Sequence, residues 1–308
     1  MTQLAAAKPA GQATAAHGRA GRLPRRLLAT LALTAGLLGA ARAQDEVPFI
    51  TTPDLVTLAM LQLAGVTAND FVIDLGSGDG RIVITAARRF GARGLGVEID
   101  PDLVARSRDN ARAAGVADRA EFREQDLFQT DLAAAQVITL YLLPEVNLQL
   151  RPRLLALAPG TRIVSHDWDM GDWLAYRQLT LDVPDKAIGR EKRSTVQLWL
   201  VPAAVQGLWC TAGASLAISQ RFQAFSATLT ATLTATLSAT LSNQGAAAPL
   251  LVFDGRVVAD HLHAGSASQA APQLLRLLGD TLLWLRSSGP AQRFEGRRFE
   301  RAGPQGCR

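Results

Sequence analysis

Phe71-Val72-Ile73-Asp74-Leu75-Gly76-Ser77-Gly78-Asp79-Gly80-Arg81 is the stretch that decides how this chain folds. A short β-forming apolar run ends in an acid, passes through a turn holding three glycines, and gives way to the helical pattern of Arg81 to Phe90. Glycine tolerates positive φ and lets backbone N–H groups close on a ligand at a helix N-terminus. The spacing is G-x-G-x-G with Arg81 next, and not the G-x-G-x-x-G of a dinucleotide site, which argues against a dinucleotide.

Working outward, apolar runs alternate with helical patterns across Phe71 to Pro202. Strands are expected at Phe71 to Asp74, Gly94 to Glu98, Ala120 to Arg123, Gln136 to Leu142 and Thr161 to Ser165, with helices at Arg81 to Phe90, Pro101 to Ala114 and Glu145 to Ala158. That rhythm belongs to a doubly wound α/β sheet. Two further strands, Gln178 to Val183 and Thr195 to Val201, have no helix between them and imply an antiparallel pair at one edge, for seven strands in all. Asp74 ends the first strand, Glu98 the second, and Asp126 follows the third. In such a sheet these ends share one side, where ligands bind, and an acid ending the second strand sits where ribose hydroxyls are commonly held.

These residues resemble the class I S-adenosylmethionine-dependent methyltransferases over Val47 to Pro202, which implies a Rossmann-like sheet and S-adenosyl-L-methionine as cofactor. The resemblance assigns Asp74, Gly76, Gly78 and Gly80 to the first motif, which cradles the methionine part of the cofactor, and Ser77 within that turn is a further candidate for binding the cofactor. Glu98 falls on its ribose, Ile99 beside the adenine, and Asp126 on the adenine amine. Carboxylates suit a ligand that bears an ammonium and a sulfonium. Phe49-Ile50-Thr51-Thr52-Pro53, the Asp79-Gly80-Arg81-Ile82-Val83-Ile84 continuation and Leu143-Pro144-Glu145-Val146-Asn147-Leu148-Gln149-Leu150 resemble the mitochondrial protein-lysine methyltransferases of membrane-protein substrates. The Pro-Glu-Val part also resembles the non-SET histone-lysine methyltransferases. A protein lysine is the acceptor this implies.

On the acceptor side the candidate catalytic residues are Tyr141, Pro144 and His166. The chain reads Tyr141-Leu142-Leu143-Pro144 where many amine methyltransferases carry Asn/Asp-Pro-Pro-Tyr, so amide clamping of a planar nitrogen is not indicated. His166 reads either as a general base or as a hydrogen-bonded structural histidine. The stretch from His166 to Trp173 supplies aromatics and acids for a basic side chain. Thr52 reads as an N-cap with Pro53 at the first helical position, or as part of a segment folding over the cofactor. No metal site is expected.

Charge and composition bound the rest. Residues 1–43 hold six basic residues and no acid, leaving 26 basic against 27 acidic in the remainder, which lacks the footprint of a nucleic-acid binder. Arg25-Arg26, the apolar run Leu27 to Ala41 and Ala41-Arg42-Ala43 have the layout of a signal peptide. Export, or retention at the membrane on that segment, is therefore expected, although the methyl donor is made in the cytoplasm. The expected division is a leader at 1–43, a methyltransferase domain at 44–202 and a β-rich accessory domain at 203–308. In the last, Ala227 to Ser242 repeats Ala-Thr-Leu-Thr/Ser four times, the alternation of a half-buried strand or of an expanded hairpin loop. Cys210 and Cys307 bracket that domain and either pair or stay as thiols. Rival readings are methylation of a small molecule or lipid, and an envelope binding protein that keeps the fold without the chemistry.

Overall fold

The computed structural model describes residues 50–187, 191–231, 249–265 and 272–307. Residues 1–43, where a leader is expected, and the part of the four-residue repeat from residue 232 onward lie outside the described residues. The chain enters through helix α1 (Asp54–Leu63) and strand β1 (Phe71–Leu75). There follow α2 (Arg81–Phe90), β2 (Arg93–Glu98), α3 (Pro101–Ala113), β3 (Ala120–Glu124), β4 (Val137–Leu140), α4 (Pro144–Leu155), β5 (Arg162–His166), β6 (Arg177–Asp182) and β7 (Arg193–Leu200).

These seven strands form one sheet in the order β3-β2-β1-β4-β5-β7-β6. The first five are parallel, β7 runs antiparallel to β5, and β6 antiparallel to β7, as the missing helix predicted. Period-two alternation divides β1 between the two faces. Val72 packs with Val56, Met60 and Leu61 of α1 and Ile82 of α2, whereas Ile73 and Leu75 pack with Leu150 and Leu154 of α4 and with Trp199. A sheet covered on both sides buries every central strand, which explains the near-continuous apolar runs. The order reverses between β1 and β4, and that switch point is where such sheets bind ligands.

Local chemistry sets the boundaries. Gly80 (φ 82°) leads into α2 and Gly91 (φ 71°) ends it, while Arg88 and Arg89 occupy the last turn, where the helix dipole favours cations. The Asp100 side chain accepts from the N–H groups of Asp102 and Leu103 to cap α3, with Pro101 next. Two expectations need correction. Pro53, extended at φ −58° and ψ 148°, occupies the N-cap position of α1 and receives no side-chain cap, so Thr52 does not cap the helix. Strand β4 stops at Leu140 and not at Leu142, because Tyr141 and Leu142 leave the ladder to reach α4.

Beyond Pro202 lie β8 (Gly207–Thr211), β9 (Ala214–Arg221), β10 (Ala224–Ala231), β11 (Pro249–Val258), β12 (His261–Ala264), β13 (Gln273–Leu278), β14 (Thr281–Arg286) and β15 (Arg298–Arg301). They close into an eight-stranded barrel, which removes free sheet edges. Trp209, Trp284, Phe253, Phe294 and Phe299 fill its interior with Leu216, Leu262, Leu275 and Leu282. The described start of the repeat lies in β10, where Ala227 and Leu229 face that core. Cys210 and Cys307 form a disulfide with Cα atoms 5.5 Å apart. No helix among the described residues is long and apolar enough to cross a membrane.

Candidate active site

The turn after β1 is fastened from below. The N–H groups of Gly76 and Ser77 both donate to Val97 O at 2.9 Å, and the Gly78 N–H donates to Glu98 Oε2 at 3.0 Å. Gly76 and Gly78 have φ of 76° and 54°, values that a side chain would strain. A Cβ on Gly80 would lie 2.6 Å from the Phe122 ring, and one on Gly96 of β2 would lie 2.6 Å from both Phe122 and Ser77 Oγ. Close approach of the turn to β2 and β3 thus requires these two glycines.

Around the turn stand the predicted acids. Asp74 is 2% exposed and accepts a 2.6 Å hydrogen bond from Thr139 Oγ1. Burial pushes its pKa up to about 7, opposed by the Thr139 hydroxyl and reinforced by the charges of Glu98 and Asp79. Glu98 accepts from the Ile99 and Asp100 N–H groups through Oε1, at 2.8 and 3.2 Å, so its orientation is fixed while Oε2 keeps capacity for a further donor. Ile99 next to it is 70% exposed. Asp126 accepts from the Phe128 N–H at 2.8 Å and from Gln129 Nε2 at 3.2 Å. Buried Ser77 Oγ has no hydrogen-bond partner among the described residues. A buried acid ringed by like charge and an unsatisfied hydroxyl, beside N–H groups at a helix start, fit a polar cationic ligand such as S-adenosylmethionine.

On the other side of the switch point, Tyr141 stacks on His166 with ring centroids 4.0 Å apart. His166 is fully buried, with Nδ1 3.3 Å from the Thr52 hydroxyl and Nε2 2.9 Å from that of Ser194. Burial lowers its pKa to about 4, with Lys186 adding to the shift and the charge of Asp167 opposing it. Burial first, then Asp167, raises the phenol of Tyr141. Both rings are consequently neutral near pH 7. Pro144 begins α4 just beyond, half-buried.

Some residues escaped the sequence reading. Arg81 grips Asp79 through two hydrogen bonds of 2.9 and 2.6 Å and reaches Thr52 O at 2.8 Å, tying the segment before α1 to the glycine turn. Burial alone would raise Asp79, but the guanidinium holds its pKa below the usual range. Asp167 (φ 62°) accepts from Lys186 Nζ at 2.6 Å and from the Thr195 N–H at 2.9 Å. Asn147 Nδ2 donates to Trp168 O and Asp169 O at 3.4 and 3.3 Å, while its Oδ1 is buried with no partner among the described residues. Thr52 is the instructive case. Its partner is 114 positions away, and a helix-cap pattern gave a simpler local explanation.

Residues 74–177 match the ANTKMT methyltransferase domain. A protein-lysine N-methyltransferase of Saccharolobus islandicus is 42% identical over 130 residues, covering 42% of this chain and 81% of that protein. The adenine nucleotide translocase lysine N-methyltransferase of Mus musculus is 36% identical over 104 residues, which span 33% of this chain and 45% of the relative. The chain thus spans less than half the length of that mouse protein. A solved RNA methyltransferase from Salinibacter ruber, in complex with S-adenosyl-L-homocysteine, is 53% identical at a TM-score of 0.46, covering 51% of this chain and 96% of that one. With four-fifths of the Saccharolobus islandicus relative covered and the domain match running from Asp74 through the loop after β5, this chain belongs to the S-adenosylmethionine-dependent methyltransferases, in the family of the ANTKMT methyltransferase domain.

Proposed function

We propose that this methyltransferase modifies the side-chain amine of a protein lysine, with Asp74, Gly76, Ser77, Gly78, Gly80, Glu98, Ile99 and Asp126 forming the donor site. The observation that carries the donor site is the Asp74 carboxyl, 2% exposed and with its pKa pushed by burial up to about 7, beside a glycine turn whose Gly78 N–H is held by Glu98. The lysine acceptor is supported by the names of the relatives and by the charge of residues 44–202, which hold 22 acids against 17 basic residues.

S-adenosylmethionine supplies an electrophilic methyl group on a sulfonium, and displacement is in line, so the protein's task is alignment. Asp74 regains its charge opposite the donor's ammonium. Glu98 offers Oε2 to ribose hydroxyls, and Ile99 gives the adenine an apolar cover. Thr52, held by Arg81 and His166, borders the same space. A lysine has a reference pKa of about 10.4, so its neutral form at pH 7 costs roughly 4.6 kcal/mol. Leu140 is fully buried in the sheet core, so Tyr141, Leu142 and Trp168 are the side chains that lower this cost by desolvating the ammonium. His166, enclosed and with both ring nitrogens near hydroxyls, acts as a support for Thr52 and Tyr141, so no dedicated base is needed.

We also propose that the chain works outside the cytoplasm. The leader pattern in residues 1–43 and the Cys210–Cys307 bond both favour an oxidising compartment. How the donor is supplied there then becomes part of the function, and export of the folded domain with donor bound supplies one methyl group per chain.

The test is transfer from tritiated S-adenosylmethionine by the full chain to cell-envelope protein, lipid, RNA and small-molecule fractions offered separately. Radioactivity in methyl-lysine after acid hydrolysis of the protein fraction is expected. Radioactivity confined to another fraction would overturn the lysine reading and leave the donor site standing. No transfer, with no donor binding by calorimetry, would remove both.

A further inference from the structure

The acceptor-side loop from Asp167 to Tyr176 is held from two directions, and one of them is the barrel. From the sheet side, Asn147 and Arg151 of α4 donate to the carbonyls of Trp168, Asp169 and Met170, and Trp199 Nε1 donates to Trp173 O at 2.6 Å. From the barrel side comes the tight turn between β9 and β10. Phe222 at its tip stacks on Trp173, with ring centroids 6.2 Å apart, and packs into the core cluster of the sheet although it belongs to the barrel chain. Arg221 Nη2 reaches Asp172 Oδ2 at 2.5 Å, and Gln223 Nε2 donates to Leu174 O at 2.9 Å. Arg151 lies over the Phe222 ring at 5.3 Å while also gripping Asp172 at 2.5 Å, so both supports meet at one place.

Phe222 has a φ of 53°, a conformation unfavourable for an aromatic residue, and Gln220 Nε2 bonds its carbonyl at 2.8 Å. A turn needing only to join two strands would place glycine or asparagine there. Keeping a ring at that backbone position spends strain on what the ring contacts. Ala259, in the turn between β11 and β12, has the same φ of 53°, and its carbonyl accepts from the Ala203 N–H at 2.8 Å, where the chain leaves the sheet. Both strained barrel turns therefore face the methyltransferase part.

We propose that the barrel is a brace for acceptor recognition. Its β9–β10 turn, with Arg221, Phe222 and Gln223 as positioning residues, fixes the Asp167–Tyr176 loop so that half-exposed Trp168 and the acids beside it present one surface to the methyl acceptor. This deepens the reading above and rests on the acceptor entering at that loop. The donor site lies across the switch point, on β1 and β2, so the brace separates acceptor recognition from donor binding.

The test compares the full chain with Phe222→Ala, Phe222→Tyr and the surface variant Arg221→Glu. Donor affinity is read by calorimetry with S-adenosylmethionine, loop mobility by amide hydrogen exchange over residues 167–176, and transfer by initial rates with poly-L-lysine. For Phe222→Ala and Arg221→Glu the expected results are at least tenfold faster exchange in the loop, unchanged donor affinity, and a KM for poly-L-lysine raised about tenfold with kcat within about threefold. Phe222→Tyr, which keeps the ring, is expected to restore all three. Unchanged loop exchange in both variants would overturn the brace. So would faster exchange with unchanged KM, since the contact would then be structural only, or an equal loss of donor affinity. If the unmodified chain binds donor but leaves poly-L-lysine unmethylated, the KM comparison is made with whichever fraction of the preceding test accepts label, and the same two readouts, loop exchange and KM, decide the brace.

Discussion

Asp74 sits in a position that costs the empty protein stability. Thr139 donates one hydrogen bond to it, and the nearest charges, Glu98 and Asp79, have the same sign. Its folded pKa of about 7 lies above the ordinary carboxyl value of 3.8, so its contribution to stability is present at low pH and is lost as pH rises from 3.8 through 7. By linkage the deficit above pH 7 is on the order of 4 kcal/mol. His166 runs the other way: its folded pKa of about 4 lies below 6.5, so stability is full above pH 6.5 and falls as pH drops toward 4. Asp74→Asn should therefore raise the melting temperature of donor-free protein at pH 8 while weakening S-adenosylmethionine binding by about 10- to 100-fold, the loss of a charged hydrogen bond. Its melting temperature should then rise with pH between 4 and 6.5 and level off. A variant no more stable than the parent at pH 8 would show that the carboxyl is not under this stress. Tyr141→Phe bears on the proton question. A phenol whose pKa is raised by burial and by Asp167 is no base at pH 7, so kcat should stay within about tenfold, measured from pH 6 to 9. A loss of about a thousandfold would make the hydroxyl part of the chemistry.

At the scale of elements, the packing of β2 against the glycine turn connects stability to the donor site. Gly96 has an ordinary backbone conformation, so the obstacle to a side chain there is space alone. A Cβ meets Phe122 on one side and Ser77 Oγ on the other, both at 2.6 Å. Gly96→Ala should cost about 1–3 kcal/mol in urea unfolding, the usual range for overpacking. It should also weaken donor binding, because relief comes by moving Ser77 within the turn. Lost stability with unchanged donor affinity would mean that Phe122 alone gives way. This scale also shows what was legible in the sequence. The strand-turn-helix unit, the sheet and its antiparallel edge could be read because each depends on local periodicity and on glycines whose neighbours lie within a few residues. The helix-cap reading of Thr52 fails, and the contacts of Arg81 and Asn147 are not legible, because their partners come from other elements: His166 for Thr52, Thr52 O for Arg81, and the loop carbonyls after β5 for Asn147. The barrel was legible as β-rich from the alternation entering β10. Its closure was not, since that depends on β15 meeting β8 across some 90 residues of chain.

That meeting is the weakest line in the whole molecule's second domain, and it decides how the cysteines matter. β15 and β8 are matched through two residue pairs, Glu300 with Cys210 and Arg301 with Trp209, whereas β9 and β10 are matched through eight. Arg301 reinforces the line by lying 4.2 Å above the Trp209 ring and donating to Gln206 O at 2.7 Å. The Cys210–Cys307 bond joins the same two chain segments and closes a separation of 97 residues, for which chain entropy alone gives about 4–5 kcal/mol. Replacing both cysteines by serine should therefore lower the barrel's stability by about 3–5 kcal/mol, with hydrogen exchange rising first in β15 and β8. Since the barrel reaches the acceptor loop through the opposite β9–β10 turn, S-adenosylmethionine affinity at 25 °C should stay unchanged while transfer to the acceptor fails at a lower temperature than in the parent. If exchange in β15 and β8 is the same with and without the bond, the apolar core that Trp209, Phe294 and Phe299 share closes the barrel unaided. If it rises as expected, thiol trapping of the protein taken from the cell envelope should find both cysteines bonded. Free thiols there would remove the disulfide as support for export.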